Sequence, residues 1–262
     1  MKFSTFAAVL AVAGLCVSAQ AAGVSAGAEV KTAYAATGTT CNDGFVFAPW
    51  VDVYGLKVGD VELPLTFEIW ANMDLDDDFG PVDEEGIKSK IYNAGRFSEI
   101  DLSLDFDLGA LWTPDENFVW SIGYLEYDYP QLGDPADHLI NFNMKYKSWL
   151  TPAFQVKYRF AGPSEEKCEL RFKVNHDWDL GNDFGFGLMA DAWYVFQAPG
   201  SDNDDGFACA DFTATLSFKH AFVSCTYICQ LDDDVLPDAT AENPWGYDVE
   251  WIGAVGFAYD FE

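Results

Sequence analysis

Six of the chain's 14 basic residues crowd into one short region and share a parity in pairs: Lys145 and Lys147, Lys157 and Arg159, Arg171 and Lys173. Four carboxylates do the same in the stretch RFSEIDLSLDFDLG, where Glu99, Asp101, Asp105 and Asp107 alternate with Ile100, Leu102, Leu104, Phe106 and Leu108. Side chains two apart on a strand lie on one face, so each set projects into a common space. Fixed charges of opposite sign around an aqueous lumen orient dipolar solutes and filter ions. The same groups can also pair across a filled interior, and the pattern alone leaves both readings open.

Chemistry of other kinds finds little support. None of His138, His176 and His220 sits in a Gly-x-Ser-x-Gly, His-x-Ser or HExxH pattern, and no P-loop occurs, so the chain reads as a non-enzyme without a cofactor. Each histidine reads as a strand-end or interfacial residue. Acidic runs are conspicuous: Asp74, Asp76, Asp77, Asp78, Asp83, Glu84 and Glu85, then Asp202, Asp204 and Asp205, then Asp232, Asp233 and Asp234. Such runs can hold divalent cations and bridge to phosphorylated lipid, including lipopolysaccharide, or they can be solvated surface. SDNDDG from Ser201 resembles a calcium loop, but its twelfth position is Phe212 instead of Glu, and no metal site is assigned.

The elements that carry these charges are strands. Alternation and flanking turn residues predict them at 24–36, 44–56, 61–73, 96–108, 116–128, 137–147, 152–161, 167–178, 184–196, 206–217, 221–230 and 247–261. Soluble sheets favour strands of about five or six residues, whereas a tilted strand needs ~9 to 11 to cross a bilayer. Links alternate between longer ones, such as 129–136, 197–205 and 231–246, and shorter ones, such as 57–60, 148–151 and 218–220. Gly162 to Glu166 is unusually brief for its class. Long links on one side and short ones on the other fit an antiparallel up-and-down barrel of twelve strands in an outer membrane. Aromatic residues near strand ends, among them Trp50, Trp70, Trp112, Trp149, Trp178 and Trp251, fit interfacial girdles.

The opening MKFSTFAAVLAVAGLCVSAQAAG reads as a signal peptide over 1–21, with the barrel domain over 22–262. A lipoprotein reading at Cys16 is the weaker option, since Leu15 stands where a small residue is expected. The formal charge is −29, and −30 once Lys2 is removed, which argues against nucleic acid as a partner. Aromatic content of 16% and hydrophobic content of 50% argue against disorder. Cys41, Cys168, Cys209, Cys225 and Cys229 match no zinc spacing. A three-residue loop at Phe218, Lys219 and His220 would set Cys209 opposite Cys229 and allow a disulfide; free thiols packed as small apolar residues are the alternative.

Two stretches resemble known patterns. YDVEWIGAVGFAYDFE is similar to the carboxy-terminal signal by which outer-membrane barrels are recognised by the barrel-assembly machinery, although Glu262 follows the aromatic Phe261. VSAGAEVKTAY, NDGFVFAPWVDV, LPLTFEIWANMDLDD and RFSEIDLSLDF together resemble the TorF-type porins over roughly residues 24 to 160. That resemblance implies an exported barrel of undefined substrate and brings no catalytic residue.

The resulting expectation is a porin-like channel in the cell outer membrane for passive passage of small polar or charged solutes. Lys145, Lys147, Lys157, Arg159, Arg171 and Lys173 form its basic lining, and Glu99, Asp101, Asp105 and Asp107 its acidic lining. A non-conducting structural or adhesive barrel and a soluble secreted β-protein are the rival readings.

Overall fold

Each stretch of period-two alternation becomes one wall segment of a closed sheet. In the computed structural model the described residues are 23–58, 60–76, 79–82 and 89–261. The expected signal peptide, Asp77, Asp78, Asp83, Glu84, Glu85 and Glu262 lie outside them. The barrel strands are β1 (Gly23–Lys31), β2 (Val46–Tyr54), β3 (Leu65–Asp74), β4 (Arg96–Asp107), β5 (Phe118–Asp128) and β6 (Asp137–Tyr146), followed by β7 (Ala153–Ala161), β8 (Cys168–Gly181), β9 (Phe184–Phe196), β10 (Gly206–Phe218), β11 (Ala221–Gln230) and β12 (Trp251–Phe261). Neighbours in sequence pair antiparallel, and β1 closes on β12 from Val24 opposite Phe261 to Lys31 opposite Ala254. The fold is therefore an all-β, twelve-strand, up-and-down barrel, with one strand for each stretch expected from the sequence.

Closure leaves no sheet edge and fixes what each parity faces. Leu104, Ile122, Ile140, Phe160, Phe172 and Val255 point outward and are exposed, while Glu99, Ser103, Asn141, Arg159, Glu169 and Asp191 point inward and are buried. A soluble barrel would have these two sets exchanged. Among the described residues no helix is long and apolar enough to cross a membrane.

The links sort by end. One end carries 32–45, 75–95, 129–136, 162–167, 197–205 and 231–250, and the other carries 55–64, 108–117, 147–152, 182–183 and 219–220. Asn182 and Asp183, with φ of 55° and 65°, make a two-residue hairpin turn whose positive φ values match the strand twist.

Several expectations about boundaries change, among them the third strand, which begins at Leu65 instead of 61 because Val61–Glu62 pairs with Lys57–Val58 outside the barrel. The first strand ends at Lys31 instead of running to 36, and the last begins at Trp251 instead of 247. The link between β10 and β11 is the pair Lys219 and His220, with Phe218 opposite Ala221, so Cys209 faces Gln230 and Cys229 faces Ala210. A one-residue shift in register turns a side chain to the other face of the sheet, so Cys209 and Cys229 cannot meet. All five described cysteines are free thiols.

Candidate functional site

The lumen is built from a hydrogen-bonded strip of amides between an acidic and a basic wall. On the acidic side Asp105 accepts from Ser103 at 2.7 Å and Ser121 at 3.3 Å. Its carboxylate leans over Gly123, where a Cβ would lie 2.4 Å from Asp105 Oδ1, so the missing side chain is what makes room for it. Across the strip, Asn143 donates to Ser121 at 3.3 Å, and Gln155 donates to Asn141 at 3.1 Å and Asn143 at 2.9 Å. Glu68 of β3 and Asp101 of β4 extend the acidic wall.

The basic wall divides into three environments. Near the end with the long links, Arg159 lies 3.4 Å from Asp137 and 3.1 Å from Glu169, which also holds Lys167 at 3.2 Å. Midway, Lys157 donates to the Tyr127 hydroxyl at 2.8 Å and sits 5.7 Å from the Trp193 ring centroid. Arg171 pairs with Asp191 and stacks 4.8 Å from the same ring. Lys145 and Lys173 stand at the short-link mouth. Lys147 falls beyond β6 in the turn, where its backbone donates to Asn117 O at 2.8 Å.

Inward charges therefore first find partners on adjacent strands, because separated charges in a low-dielectric interior are costly unless paired. The acidic set is divided in the same way. Asp101 and Asp105 line the lumen, Glu99 is engaged by a loop, and Asp107 accepts from Gly109 N–H at 2.7 Å, capping the turn after β4. Asp191 also faces Asp211 across β9 and β10, and Trp193 Nε1 donates to Asp211 at 3.3 Å.

The loop that engages Glu99 is the link between β1 and β2. It forms a small hairpin, Tyr34–Ala36 with Thr39–Asn42, that folds into the long-link mouth. Tyr34 donates to Glu99 at 2.8 Å on β4, Thr37 to Glu169 at 3.5 Å on β8, and Asn42 to Asp74 at 2.7 Å on β3. Thr40 N–H donates to Gly246 O at 3.0 Å, tying the hairpin to the link 231–250. Gly38 at the tip has φ +78°, and a Cβ there would lie 2.5 Å from Leu236 and 3.0 Å from Cys209 Sγ. Only glycine allows so close an approach at that backbone angle. Val235 and Leu236 complete the closure in an apolar cluster with Trp193, Val195, Cys209 and Ile228.

Below the hairpin the lumen stays hollow. A cavity of about 250 Å³ lies between Glu68, Asp101, Asp105 and Lys157, with Trp70 and Tyr127 on its walls. A second, of about 280 Å³, is lined by Lys145, Arg171 and Lys173, and Asn143 and Gln155 border both.

Several lumen residues escaped the sequence reading. Lys31 pairs with Glu29 at 2.7 Å and lies 5.8 Å from the Trp70 ring centroid. Their parity within VSAGAEVKTAY, with Glu29 and Lys31 two apart, was the available signal. The histidines do lie at ring contacts, with His176 4.8 Å from Trp149 and His220 4.5 Å from Tyr259 between ring centroids. Asp205 accepts from Gln197 N–H at 2.7 Å and so closes its own loop.

Comparison with solved structures finds barrels of similar form. The NanC porin shares 10% identity at a TM-score of 0.48, covering 92% of this chain and 100% of that one. Salmonella typhi OmpF in complex with daunomycin shares 9% at 0.39, covering 92% and 97%, and Acinetobacter baumannii OccAB3 shares 6% at 0.40, covering 92% and 98%. No family model and no curated protein matches the chain, so the likeness to TorF-type porins rests on its residues alone.

Proposed function

We propose that the chain is a narrow outer-membrane channel for small polar or charged solutes, closed at its long-link end by the hairpin Tyr34–Asn42. The observation that carries this reading is the hollow, charged lumen beneath that hairpin, inside a barrel whose outer face is apolar. An exposed apolar belt has a bilayer as its natural solvent, and a lumen bearing Asp105, Lys157 and Lys173 has water. Its partners are outer-membrane lipid and lipopolysaccharide around the belt, small solutes inside, and the barrel-assembly machinery. Because β1 and β2 pair directly from Gly23 opposite Tyr54 to Lys31 opposite Val46, replacing 34–42 by a short flexible linker keeps the wall intact.

Single-channel recording of the refolded chain tests the proposal. The native form should show small or intermittent currents, and the variant lacking the hairpin should show larger, steadier ones. A second reading, a non-conducting structural barrel, draws on the apolar cluster around Leu236 that seals the same mouth. Silence from both forms at every salt concentration would favour it and sink the channel.

A further inference from the structure

The two cavities below the hairpin carry opposite charge and meet at Asn143 and Gln155. In the upper one, Glu68, Asp101 and Asp105 face a single lysine, Lys157. Ser103 and Ser121 hold Asp105 in place, but neutral donors do not cancel its charge. In the lower one, Lys145 and Lys173 lie one row beyond Arg171, whose partner Asp191 also stands opposite Lys173 across β8 and β9, so Lys145 carries most of the unmatched charge. The order from mouth to chamber is therefore cationic rim, amide band, anionic chamber. Trp70 and Tyr127 border the chamber, with Lys31 5.8 Å from the Trp70 ring centroid and Lys157 5.5 Å from that of Tyr127.

We infer that the lumen binds small zwitterions of the ω-amino acid class, with the carboxylate at Lys145 and Lys173, the ammonium at the Glu68, Asp101 and Asp105 wall, and the chain across Asn143 and Gln155. The inference rests on the reading of the lumen as a solute path and names what travels it. A solute with only positive charge meets the cationic rim, and one with only negative charge meets the anionic chamber. An extended zwitterion meets attraction at both. Asp105 and Asn141 lie in one row across β4, β5 and β6, and Lys145 follows four residues along β6. The two sites therefore stand roughly 10 Å apart across the wall and roughly 13 Å along it, a gap that the lysine side chain and a solute of several bonds share. Each cavity falls just below the ~300 to 1,000 Å³ typical of small-molecule sites, which sets the solute as small.

Three probes of equal length separate the charge patterns: 5-aminopentanoate, 1,5-diaminopentane and glutarate. Calorimetric titration of the refolded chain in detergent should rank 5-aminopentanoate ahead of both others by about tenfold, the difference made by one charge-assisted contact. The double variant Lys145→Gln, Lys173→Gln should lose that advantage over the diamine, and Glu68→Gln, Asp105→Asn should lose it over glutarate. A heat-modifiable gel shift confirms that each variant is a folded barrel. Equal binding of the three probes, or none, overturns the zwitterion assignment even if the channel conducts. If the preference holds while no form of the protein conducts, the channel reading falls and the binding assignment stands.

Discussion

Tyr34 and Glu99, 65 residues apart in sequence, meet at 2.8 Å where the inserted hairpin touches the wall of β4. Glu99 is one of the carboxylates whose alternation marks the strand RFSEIDLSLDFDLG. It points inward as that alternation requires, but its partner is a tyrosine from the loop between β1 and β2 and not the basic wall opposite. This contact, with Thr37 on Glu169 and Asn42 on Asp74, holds the hairpin across the lumen.

Removing the phenol should loosen the gate without harming the barrel. A hydrogen bond to a charged group contributes about 1.5 to 3 kcal/mol, so Tyr34→Phe should shift the hairpin toward an open state by about tenfold or more. Bilayer recording would then show longer or larger openings than in the parent. Currents identical to the parent in size and duration would mean that the hairpin is a fixed part of the wall.

Cys41 lies on the same hairpin and reports its position independently. Burial, with the negative charge of Glu99 adding to it, pushes the Cys41 thiol well above its usual range. The thiolate is the reactive form, so Cys41 should react with a maleimide far more slowly in the folded barrel than in urea, and Tyr34→Phe should speed it. Mass spectrometry of the labelled peptides resolves this site from Cys168, Cys209, Cys225 and Cys229. Labelling at the unfolded rate in the folded parent would contradict a seated hairpin.

The barrel was legible because its rules are local. Ile100 to Phe106 alternate with Glu99 to Asp105, and in a closed sheet that alternation alone decides which side chains face in. The same rule sets Lys157 and Arg171 on the inward parity. It could not say what they touch, because Arg171 meets Asp191 and Arg159 meets Asp137 through strand registers that no single segment encodes. Register also removed the expected meeting of Cys209 with Cys229, since a two-residue turn and a three-residue turn differ by one face. The hairpin was least legible. Tyr34–Ala36 continues the small and apolar alternation of β1 and so reads as more strand, and only Glu99, Glu169 and Leu236, all distant in sequence, turn it inward.

Arg159 should be a keystone of the long-link end. Its side chain is 10% exposed, and those of Asp137 and Glu169 are 3% exposed, so little water is at hand to replace it. Arg159→Met takes from the buried Asp137 its ion-pair partner and leaves Glu169 paired with Lys167, a change that typically costs about 3 to 5 kcal/mol. The urea midpoint of the detergent-solubilised barrel should fall accordingly, and Glu169→Gln added to it should recover part of the loss. A shift in stability under about 0.5 kcal/mol, the range of an ordinary surface substitution, would show that the cluster is solvated.

Ion selectivity should turn on the short-link mouth. Lys145 and Lys173 border the cavity there without serving the hairpin contacts or the Arg159 cluster, so reversing them tests charge, with a heat-modifiable gel shift checking the fold because Lys173 stands opposite Asp191. Under a salt gradient, Lys145→Glu with Lys173→Glu should move the reversal potential toward that of a cation-selective pore, because the rim would then carry the same sign as Glu68, Asp101 and Asp105. Raising ionic strength should shrink the difference between variant and parent, since the Debye length falls from about 10 Å at 0.1 M to about 3 Å at 1 M. A reversal potential that ignores the substitution would place the conducting path away from this mouth. One that changes but is insensitive to salt would point to an altered pore shape instead of an altered field.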